Sequence, residues 1–424
     1  MNAVNNELQL KAEIAKDAAR FMAYLSSEIK NRALENIAVE LLNQSSNLLV
    51  ANKLDYSAAE ESGMNTALLD RLLLTEERLK SMARDVKAVA SLPDPIGEII
   101  ETRTLSNGLV IQKKRVPLGV IGAIYESRPN VTVDISTLCL KAGNTVILRG
   151  GKESIHSNRA LANLVCEAAV KSGIPDGAVT FIETLDRSIV NQMLKMGSHI
   201  DLIVPRGGAG LIKFVKENAV MPVVAGGIGV CHTYVDKDAN LDKAVAIAFN
   251  AKVQRPTVCN ALDSLLVHKD IADAYLPKIA TEFARVGVEI HCDAISLSIL
   301  NQLSGLKLVP AEDDDWGKEF LSLVIAIKVV ASLNETLEHI SRYGSGHSEA
   351  IVTEDSDTAK RFLEEVDAAC VYVNASTRFT DGSQFGLGAE LGISTQKMHA
   401  RGPIGLKEIT SYKWIIFGNG QIRP

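Results

Sequence analysis

The chain has 424 residues, 46% of them hydrophobic, and a formal net charge of -6. This length exceeds one ordinary core, so we expect two or more domains. The mild negative charge argues against a general nucleic-acid binder, which would carry a basic face. The longest apolar run, Leu321 to Leu333, is interrupted by Lys328 and is too short to span a bilayer.

The six cysteines are scattered, with no Cys-x-x-Cys pair and no Cys/His cluster at metal-ligand spacing. Such usage indicates a reducing compartment better than a disulfide framework. The start, Met1 to Lys16, mixes charges without an apolar core, so no signal peptide is visible. We therefore expect a cytoplasmic protein with no metal, no nucleic-acid partner and no membrane segment.

Helices are predicted through residues 6–92. Apolar residues recur at three- and four-residue spacing through Leu8–Leu25 and Leu34–Leu49. Thr75, followed by two glutamates, predicts a helix start, and that helix should stop before Pro93.

A β-ribbon is predicted next. Ile99–Arg115 contains Asn107-Gly108 between alternating runs, and Asn-Gly favours a tight hairpin because both central residues need positive φ. Near the other end of the chain, Ile409–Phe417 is predicted to be a strand with no helix after it.

Between these parts, short apolar strands alternate with helices, which indicates a parallel sheet covered on both faces. The Gly226–Gly229 cluster is the best candidate for a hinge or domain boundary within this alternation. Before it we predict strands Val120–Tyr125, Thr145–Leu148, Val179–Ile182, Ile200–Val204 and Val223–Val224, and helices Asn158–Lys171 and Leu211–Asn218. After it we predict strands Leu265–His268, Val324–Val330, Ala350–Thr353 and Cys370–Asn374, and helices Leu241–Lys252, Ile271–Val286, Thr336–Tyr343 and Thr358–Val366.

Two glycine clusters follow predicted strands and precede helices. One is Arg149-Gly150-Gly151-Lys152 and the other is Arg206-Gly207-Gly208. Glycine lets a phosphate approach the backbone, and a helix N-terminus offers N–H groups to it. Neither cluster fits the usual G-x-G-x-x-G spacing or the P-loop. A nucleotide site and a plain turn therefore stay about equally open.

Cys259 lies between the predicted helix Leu241–Lys252 and the apolar run Ser264–His268. A thiol at such a junction can be reached by a small substrate. Arg255 nearby would favour the thiolate, which is the form that attacks a carbonyl carbon. The alternative is that Cys259 is a small buried hydrophobic residue, which is the commoner role of an unbridged cysteine.

Several ordered segments carry a resemblance to a known family. They are Tyr125–Asp134, Leu148–Glu153, Gln254–Leu262, Asn374–Thr380 and the long run Phe385–Pro403. In these segments, and over nearly its whole length, the chain resembles the gamma-glutamyl phosphate reductase family of the aldehyde dehydrogenase superfamily.

The resemblance implies an aldehyde dehydrogenase-like α/β fold with three parts. A doubly wound cofactor domain would comprise residues 1–100 and 117–228. An α/β catalytic domain would comprise residues 229–400. A β-ribbon oligomerisation arm would comprise residues 101–116 and 404–424, with the hairpin paired to the tail across a subunit interface in a homo-oligomer.

The implied reaction is the NADPH-dependent reduction of L-glutamate 5-phosphate to L-glutamate 5-semialdehyde, with release of phosphate. It would proceed through a thioester on Cys259 and form the second step of proline synthesis. Glutamate 5-kinase, which makes the unstable acyl phosphate, is a possible partner.

The resemblance also implies roles for individual residues. The oxyanion position of the superfamily falls at Arg128, with Asn130 close by, and the Cys259 N–H is a second candidate donor. Glu319 aligns with the glutamate that binds the nicotinamide ribose.

The other cofactor and substrate roles rest on charge. Arg149 and Lys152 would lie near the adenosine ribose, where positive charge suits the 2′-phosphate of NADP. The glycine cluster that contains Arg206, Gly207 and Gly208 is a further cofactor-binding candidate. For the substrate anions we expect arginines, because guanidinium binds such groups bidentately, although each could instead form a structural salt bridge. These arginines are Arg255, Arg378 and Arg401, in addition to Arg128.

One difference from the hydrolytic members of the superfamily distinguishes between two possible activities. The hydrolytic aldehyde dehydrogenases carry a general-base glutamate where this chain has Val224. Without that base, water is poorly activated against the thioester, which favours a phosphate-linked reductase over a dehydrogenase that forms an acid. A catalytically silent binding protein on the same fold is the third alternative.

Overall fold

The computed structural model describes residues 3–423, which fold into two compact units. The first unit runs through Gly226 and also contains Gly386–Gly392 and the chain from Pro403 onward. The second unit contains Gly227–Phe385 and Ile393–Gly402. Among the described residues, no helix combines the length and apolar character needed to cross a bilayer.

The elements are numbered in chain order. The helices are α1 Ala3–Met22, α2 Ser27–Asn43, α3 Ser45–Glu61, α4 Thr66–Leu72, α5 Glu76–Ser91, α6 Asn130–Lys141, α7 Ile155–Lys171, α8 Ser188–Met193, α9 Ala209–Asn218, α10 Leu241–Val253, α11 Lys269–Arg285, α12 Ala294–Leu300, α13 Leu333–Tyr343 and α14 Ser356–Glu365. The strands are β1 Ile99–Thr104, β2 Val110–Pro117, β3 Val120–Tyr125, β4 Thr145–Arg149, β5 Val179–Phe181, β6 Leu202–Arg206, β7 Cys231–Val235, β8 Leu262–His268, β9 Glu289–Cys292, β10 Lys307–Pro310, β11 Val324–Val330, β12 Ser348–Val352, β13 Cys370–Val373, β14 Ile393–Ser394, β15 Gly402–Pro403 and β16 Thr410–Phe417. Short 3₁₀ helices span Lys152–Ser154, Asp313–Asp315 and Thr377–Phe379.

The N-terminal helices follow the predicted pattern. The Thr75 side chain accepts a hydrogen bond from the Arg78 N–H, and α5 ends before Pro93, so both predicted signals are confirmed. The periodicity of Leu34–Leu49 ran through a break that the structure places at Gln44, between α2 and α3. A one-residue break leaves the apolar spacing almost intact, and periodicity alone therefore did not reveal it.

The predicted hairpin is present, but its turn differs from the expected one. Leu105 N donates to Leu109 O at 2.8 Å and Gly108 N to Leu105 O at 2.9 Å, which encloses a three-residue loop. Gly108 has a φ of +84°, whereas Asn107 is not among the residues with positive φ. This is a turn followed by a left-handed glycine, the three-residue class of hairpin. The Asn107 side chain instead accepts a hydrogen bond from Leu109 N at 3.2 Å.

The C-terminal strand completes a three-stranded sheet of order β1-β2-β16. β16 pairs antiparallel with β2 of the same chain, from Thr410 opposite Pro117 to Phe417 opposite Val110. The predicted pairing of the hairpin with the tail is thus present within one chain, and pairing across a subunit interface stays a prediction. Asn144 holds the tail next to β2 within the chain, because its side chain donates to Ile409 O at 2.8 Å.

The first unit contains a four-stranded parallel sheet of order β5-β4-β3-β6. From β3 the chain moves outward through β4 to β5 and then returns to place β6 on the other side of β3. Such a reversal is the topological switch point at which α/β sheets bind ligands beyond the carboxyl ends of their strands. The predicted fifth strand, Val223–Val224, is only an isolated bridge between Val223 and Ile203.

The second unit contains a seven-stranded sheet of order β10-β9-β11-β8-β7-β12-β13 in which every pairing is parallel. One apolar core joins α10, α11 and α12 to the strands, with Tyr275 and Phe283 fully buried in it. The other core joins α13 and α14 to the strands, around Tyr234 and Phe362. Helices therefore cover both faces, as the unbroken apolar strands predicted.

Residues 386–392 belong to the first unit by packing, whereas the sequence analysis placed them in the 229–400 block. A Cβ added to Gly388 would lie 3.1 Å from Leu92 and 3.3 Å from Val89 at the end of α5. The assignment of residues 386–392 to the first unit depends on tertiary contacts, which a periodic pattern in the sequence does not reveal. The functional boundaries given for the three domains stay a prediction.

Candidate active site

Cys259 lies in the turn between α10 and β8 and is half-buried. The six cysteines, all within the described range, form no disulfide, and four of them are buried. Burial raises the pKa of the Cys139, Cys231 and Cys292 thiols, which holds them in the neutral form. Cys259 therefore combines partial access with a position at the amino end of a central strand.

The backbone of Cys259 is held by the start of β7. The Cys231 Sγ donates to the Cys259 carbonyl at 3.2 Å. A Cβ built on Gly229 would overlap that same carbonyl and the Cys259 Cα. Gly229 is thus required by close backbone approach, a role that the sequence analysis missed because it read the Gly226–Gly229 cluster as a boundary.

Two predicted arginines share the surroundings of Cys259. Arg255 is exposed on the same turn, and Arg378 is half-buried on the 3₁₀ helix Thr377–Phe379. Burial first, and then the charge of Arg255, lower the pKa of Arg378, while the charges of Asp381 and then Cys259 act in the opposite direction. Arg378 Nε also donates to the Gln254 side chain at 2.7 Å. The second unit therefore places the Arg378 guanidinium within electrostatic reach of both the Cys259 thiol and Arg255.

Asn260 follows Cys259 in the turn and is held by hydrogen bonds, a role that was not predicted from the sequence. Its amide donates to Thr380 O at 2.8 Å, and Thr377 Oγ1 donates to the Asn260 carbonyl at 2.8 Å. These bonds join the Cys259 turn to the segment that carries Arg378. Only its position beside Cys259 could have drawn attention to it.

The third predicted substrate arginine, Arg401, is engaged elsewhere in the unit. Its guanidinium donates to the Asp367 carboxylate at 2.7 Å and to the Asp367 carbonyl at 3.0 Å. Hydrogen bonds from Lys397 and then Arg401 lower the pKa of Asp367. This is the structural salt bridge that the sequence left open, and the substrate role of Arg401 stays a prediction.

Glu319, the predicted ribose ligand, is half-buried just before β11. Its carboxylate accepts a hydrogen bond from the Gly229 N–H at 3.2 Å. Glu319 is therefore linked through one glycine to the carbonyl of Cys259.

In the first unit, Arg128 and Asn130 lie on the segment that leads from β3 into α6. Ser127 has a φ of +44°, and its N–H and hydroxyl both donate to Glu153, at 2.7 and 2.8 Å. The Asn130 amide donates to Asp134 at 2.8 Å. Burial raises the pKa of Asp134 to about 7, partly opposed by that hydrogen bond. The oxyanion roles of Arg128 and Asn130 stay predictions.

Arg149 and Lys152 occupy different environments at the end of β4. The Arg149 guanidinium donates to Gly150 O at 2.7 Å and Leu185 O at 3.3 Å, and it is buried. Burial is the main cause that lowers the pKa of Arg149, and the charge of Arg187 adds to it. Lys152 is exposed at the start of its 3₁₀ helix. Lys152 is thus the cation of this loop that is accessible to an anion.

The second glycine cluster contacts a carboxylate of its own unit. The Gly208 N–H donates to the Glu126 carboxylate at 2.9 Å, so this amide at the start of α9 already holds an anionic group. A Cβ on Gly207 would overlap the same carboxylate. The Arg206 guanidinium packs on Gly392, where a Cβ would overlap it. The cofactor roles of Arg206, Gly207 and Gly208 stay predictions.

The glycine loops and the β3–α6 segment follow the carboxyl ends of β3, β4 and β6, and they therefore share one edge of the sheet at its switch point. Arg149 and Lys152 add positive charge at that edge. The first unit thus has positive charge at the edge of the sheet where α/β folds bind ligands, and the binding of a dinucleotide there stays a prediction. Within the residues that the structure covers, no group of three or more His, Cys, Asp or Glu side chains is arranged to hold a metal ion.

Comparison with known proteins decides the family. Residues 3–296 and 306–415 match the model of the aldehyde dehydrogenase family. This chain belongs to the aldehyde dehydrogenase family. The resemblance stated from the sequence and the predicted fold class are both confirmed.

Within the family, several similar proteins are gamma-glutamyl phosphate reductases. One from Dehalococcoides mccartyi is 64% identical over 417 residues, which cover 98% of each chain. One from Caldanaerobacter subterraneus is 55% identical, over 98% of this chain and all of the other. The crystal structure of gamma-glutamyl phosphate reductase from Thermotoga maritima has a TM-score of 0.95 and 47% identity, over 99% of this chain and 100% of that one.

Gly229 provides a test of the position of Cys259. We expect Gly229→Ala to lower kcat by about 100-fold, because the new Cβ must displace the Cys259 backbone, and a displacement of about 1 Å can cost this much. The measurement is steady-state turnover together with a thermal unfolding midpoint. Gly317→Ala is the matched control, since its Cβ would meet only ordinary contacts at 3.8 Å. Normal turnover in Gly229→Ala would show that the close approach does not position the nucleophile.

Proposed function

We propose that this protein reduces L-glutamate 5-phosphate to L-glutamate 5-semialdehyde with NADPH, releases phosphate, and serves proline biosynthesis. One observation carries the proposal. A gamma-glutamyl phosphate reductase shares 64% identity over 98% of the chain, and the matched length includes Cys259 with its two arginines. The protein is thus an acyl-phosphate reductase, a phosphorylating form of aldehyde dehydrogenase.

The first chemical step belongs to Cys259. Its thiolate attacks the γ-carbonyl carbon of the acyl phosphate, a C–S bond forms, the C–O bond to phosphate breaks, and phosphate leaves with the electron pair. Arg255 and Arg378 favour the thiolate and offer cations to the departing phosphate or to the α-carboxylate of the substrate. The Cys259 N–H is a donor for the oxyanion of the tetrahedral species.

The second step reduces the Cys259 thioester. The nicotinamide cofactor of this family, when bound, supplies the hydride. The carbonyl carbon is thereby reduced to a thiohemiacetal on Cys259, whose C–S bond then breaks to release the aldehyde and restore the thiolate. Glu319 is the residue that we propose to hold the nicotinamide ribose.

Val224 supports the choice of phosphate over water. The side chain is apolar and 2% exposed, so it cannot act as a general base. The thioester then persists until hydride or phosphate reaches it. The reading as an acid-forming dehydrogenase is disfavoured for this reason.

We also propose that the cofactor is NADPH rather than NADH. Lys152 is exposed at the carboxyl edge of the parallel sheet, beside the buried Arg149, and positive charge there suits a 2′-phosphate. The oxyanion roles of Arg128 and Asn130 belong to the same proposal.

The proposed partners follow from the reaction. Glutamate 5-kinase would supply the acyl phosphate, and the cytoplasm would be the site of both reactions. We propose a homo-oligomer formed through the β1-β2-β16 ribbon, because Tyr412, Trp414 and Ile416 alternate along β16 and are 50%, 46% and 55% exposed. Large apolar side chains in such a row are typical of an interface.

Phosphate dependence tests the proposed reaction. In the oxidative direction, with glutamate semialdehyde and NADP, we expect steady NADPH formation only when inorganic phosphate is present. Cys259→Ala should abolish it, while NADPH binding, followed by fluorescence titration, persists. Steady turnover without phosphate would instead identify an acid-forming dehydrogenase.

Lys152 tests the cofactor preference. We expect Lys152→Ala to raise the KM for NADPH by about tenfold, the effect of losing roughly 1.4 kcal/mol of charge-assisted binding, and to leave the KM for NADH unchanged. Lys171→Ala, which removes an exposed lysine at the end of α7, is the control. Equal changes for both cofactors would contradict a contact with the 2′-phosphate.

A further inference from the structure

A buried ion pair spans the base of the turn that carries Cys259. Lys252 lies in the last turn of α10, and Asp263 is the second residue of β8, so the two bracket the turn. Their side chains are 0% and 3% exposed, and Nζ lies 3.5 Å from Oδ1. Both ends of the turn are thereby joined by one contact between charged groups.

Stability alone does not account for this pair. Removing two charges from water costs several kcal/mol per ion in general, and buried pairs often stabilise a fold no better than apolar residues of similar size. Burial raises the pKa of Asp263 and lowers that of Lys252, because removal from water disfavours the charged form of each side chain. The role of the pair must therefore come from the residues of the site that it connects.

The pair reaches the other residues of the candidate site through hydrogen bonds. Asp263 Oδ1 also accepts the Phe320 N–H at 3.2 Å. The preceding residue, Glu319, accepts the Gly229 N–H at 3.2 Å, and Gly229 packs on the Cys259 carbonyl. One carboxylate therefore ties the base of the nucleophile turn to the segment that carries the proposed ribose ligand.

We propose that Lys252 and Asp263 are positioning residues, which close the base of the turn and set the thiol of Cys259 and the carboxylate of Glu319 in one fixed arrangement. The proposal rests on the proposed function, since it assigns the pair to the same thiol and ribose ligand. Both side chains are buried, so we assign neither of them a contact with substrate or cofactor. Their effect passes through Phe320, Glu319 and Gly229 to Cys259.

The test compares Lys252→Met, Asp263→Asn and the double variant with the wild-type protein. The exposed pair Lys243–Glu354, whose charged atoms lie 2.9 Å apart in the same unit, supplies the control variant Lys243→Met/Glu354→Gln. The readouts are the rate of Cys259 alkylation by iodoacetamide, located by peptide mass, the thermal unfolding midpoint, and kcat against KM for NADPH. Alkylation needs neither substrate nor cofactor, so it decides the proposal even if turnover of the acyl phosphate is absent.

Each single variant should unfold at a lower temperature, because it leaves one buried charge without its partner. The double variant should recover most of that loss. Its alkylation rate should nevertheless be about fivefold lower and its kcat about tenfold lower, because the thiol no longer keeps its place beside Arg378. Its KM for NADPH should rise through the displaced Glu319. The control should match the wild-type protein in every readout.

A double variant with restored stability and wild-type or faster alkylation would overturn the proposal and leave the pair a structural feature only. If the double variant does not fold, Asp263→Asn decides, since it keeps the size of the side chain and an acceptor for the Phe320 N–H. We expect its alkylation rate to fall by about threefold, part of the effect of losing the pair. An unchanged rate in that variant would equally overturn the proposal.

Discussion

The close approach of Gly229 to the carbonyl of Cys259 is the constraint on which the candidate site depends. It places the nucleophile turn against the start of β7, where Cys231 donates to the same carbonyl. The next connections are to Glu319 through the Gly229 N–H and to the Arg378 segment through Asn260. A residue with a side chain at position 229 would separate these parts. The Cys259 turn, the Glu319 carboxylate and the Arg378 segment are thus connected by this backbone contact and the hydrogen bonds beside it.

The arginines of the second unit and the carboxylates of the first unit have different kinds of partner. In the second unit, Arg378 interacts with the Cys259 thiol and with Arg255, whereas Arg401 is bound to Asp367. In the first unit, the carboxylate of Glu126 holds the Gly208 amide, and that of Glu153 holds the Ser127 amide. Carboxylates thus satisfy backbone donors that sequence patterns alone would assign to phosphate. An arginine or a glycine cluster in a sequence indicates the capacity to bind an anion but does not say which anion binds.

Much of the fold could be predicted because its signals are local. β3 and β11 lie at the residues given by their apolar runs, and the start of α5 follows from Thr75 and the acidic first turn. What could not be predicted depends on contacts between distant residues. Three features leave no periodic pattern in the sequence. They are the order of the strands, the return of residues 386–392 to α5, and the close approach of the Cys259 backbone to Gly229. For the site, Cys259 and its neighbouring arginine were visible in one segment, while Asn260 and Cys231 act through partners far along the chain. The pairing of Lys252 with Asp263, 11 residues later, depends on the path of the turn between them.

The central claim is that Cys259 itself becomes acylated. The most direct measurement is the mass of the Cys259 peptide after incubation with glutamate semialdehyde and NADP in phosphate-free buffer, followed by acid quenching. The account predicts that a glutamyl thioester accumulates on Cys259, since Val224 provides no base for hydrolysis, and that added phosphate discharges it. An unmodified Cys259 peptide in a sample that has formed NADPH, or an acyl group on Cys166 instead, would contradict the account.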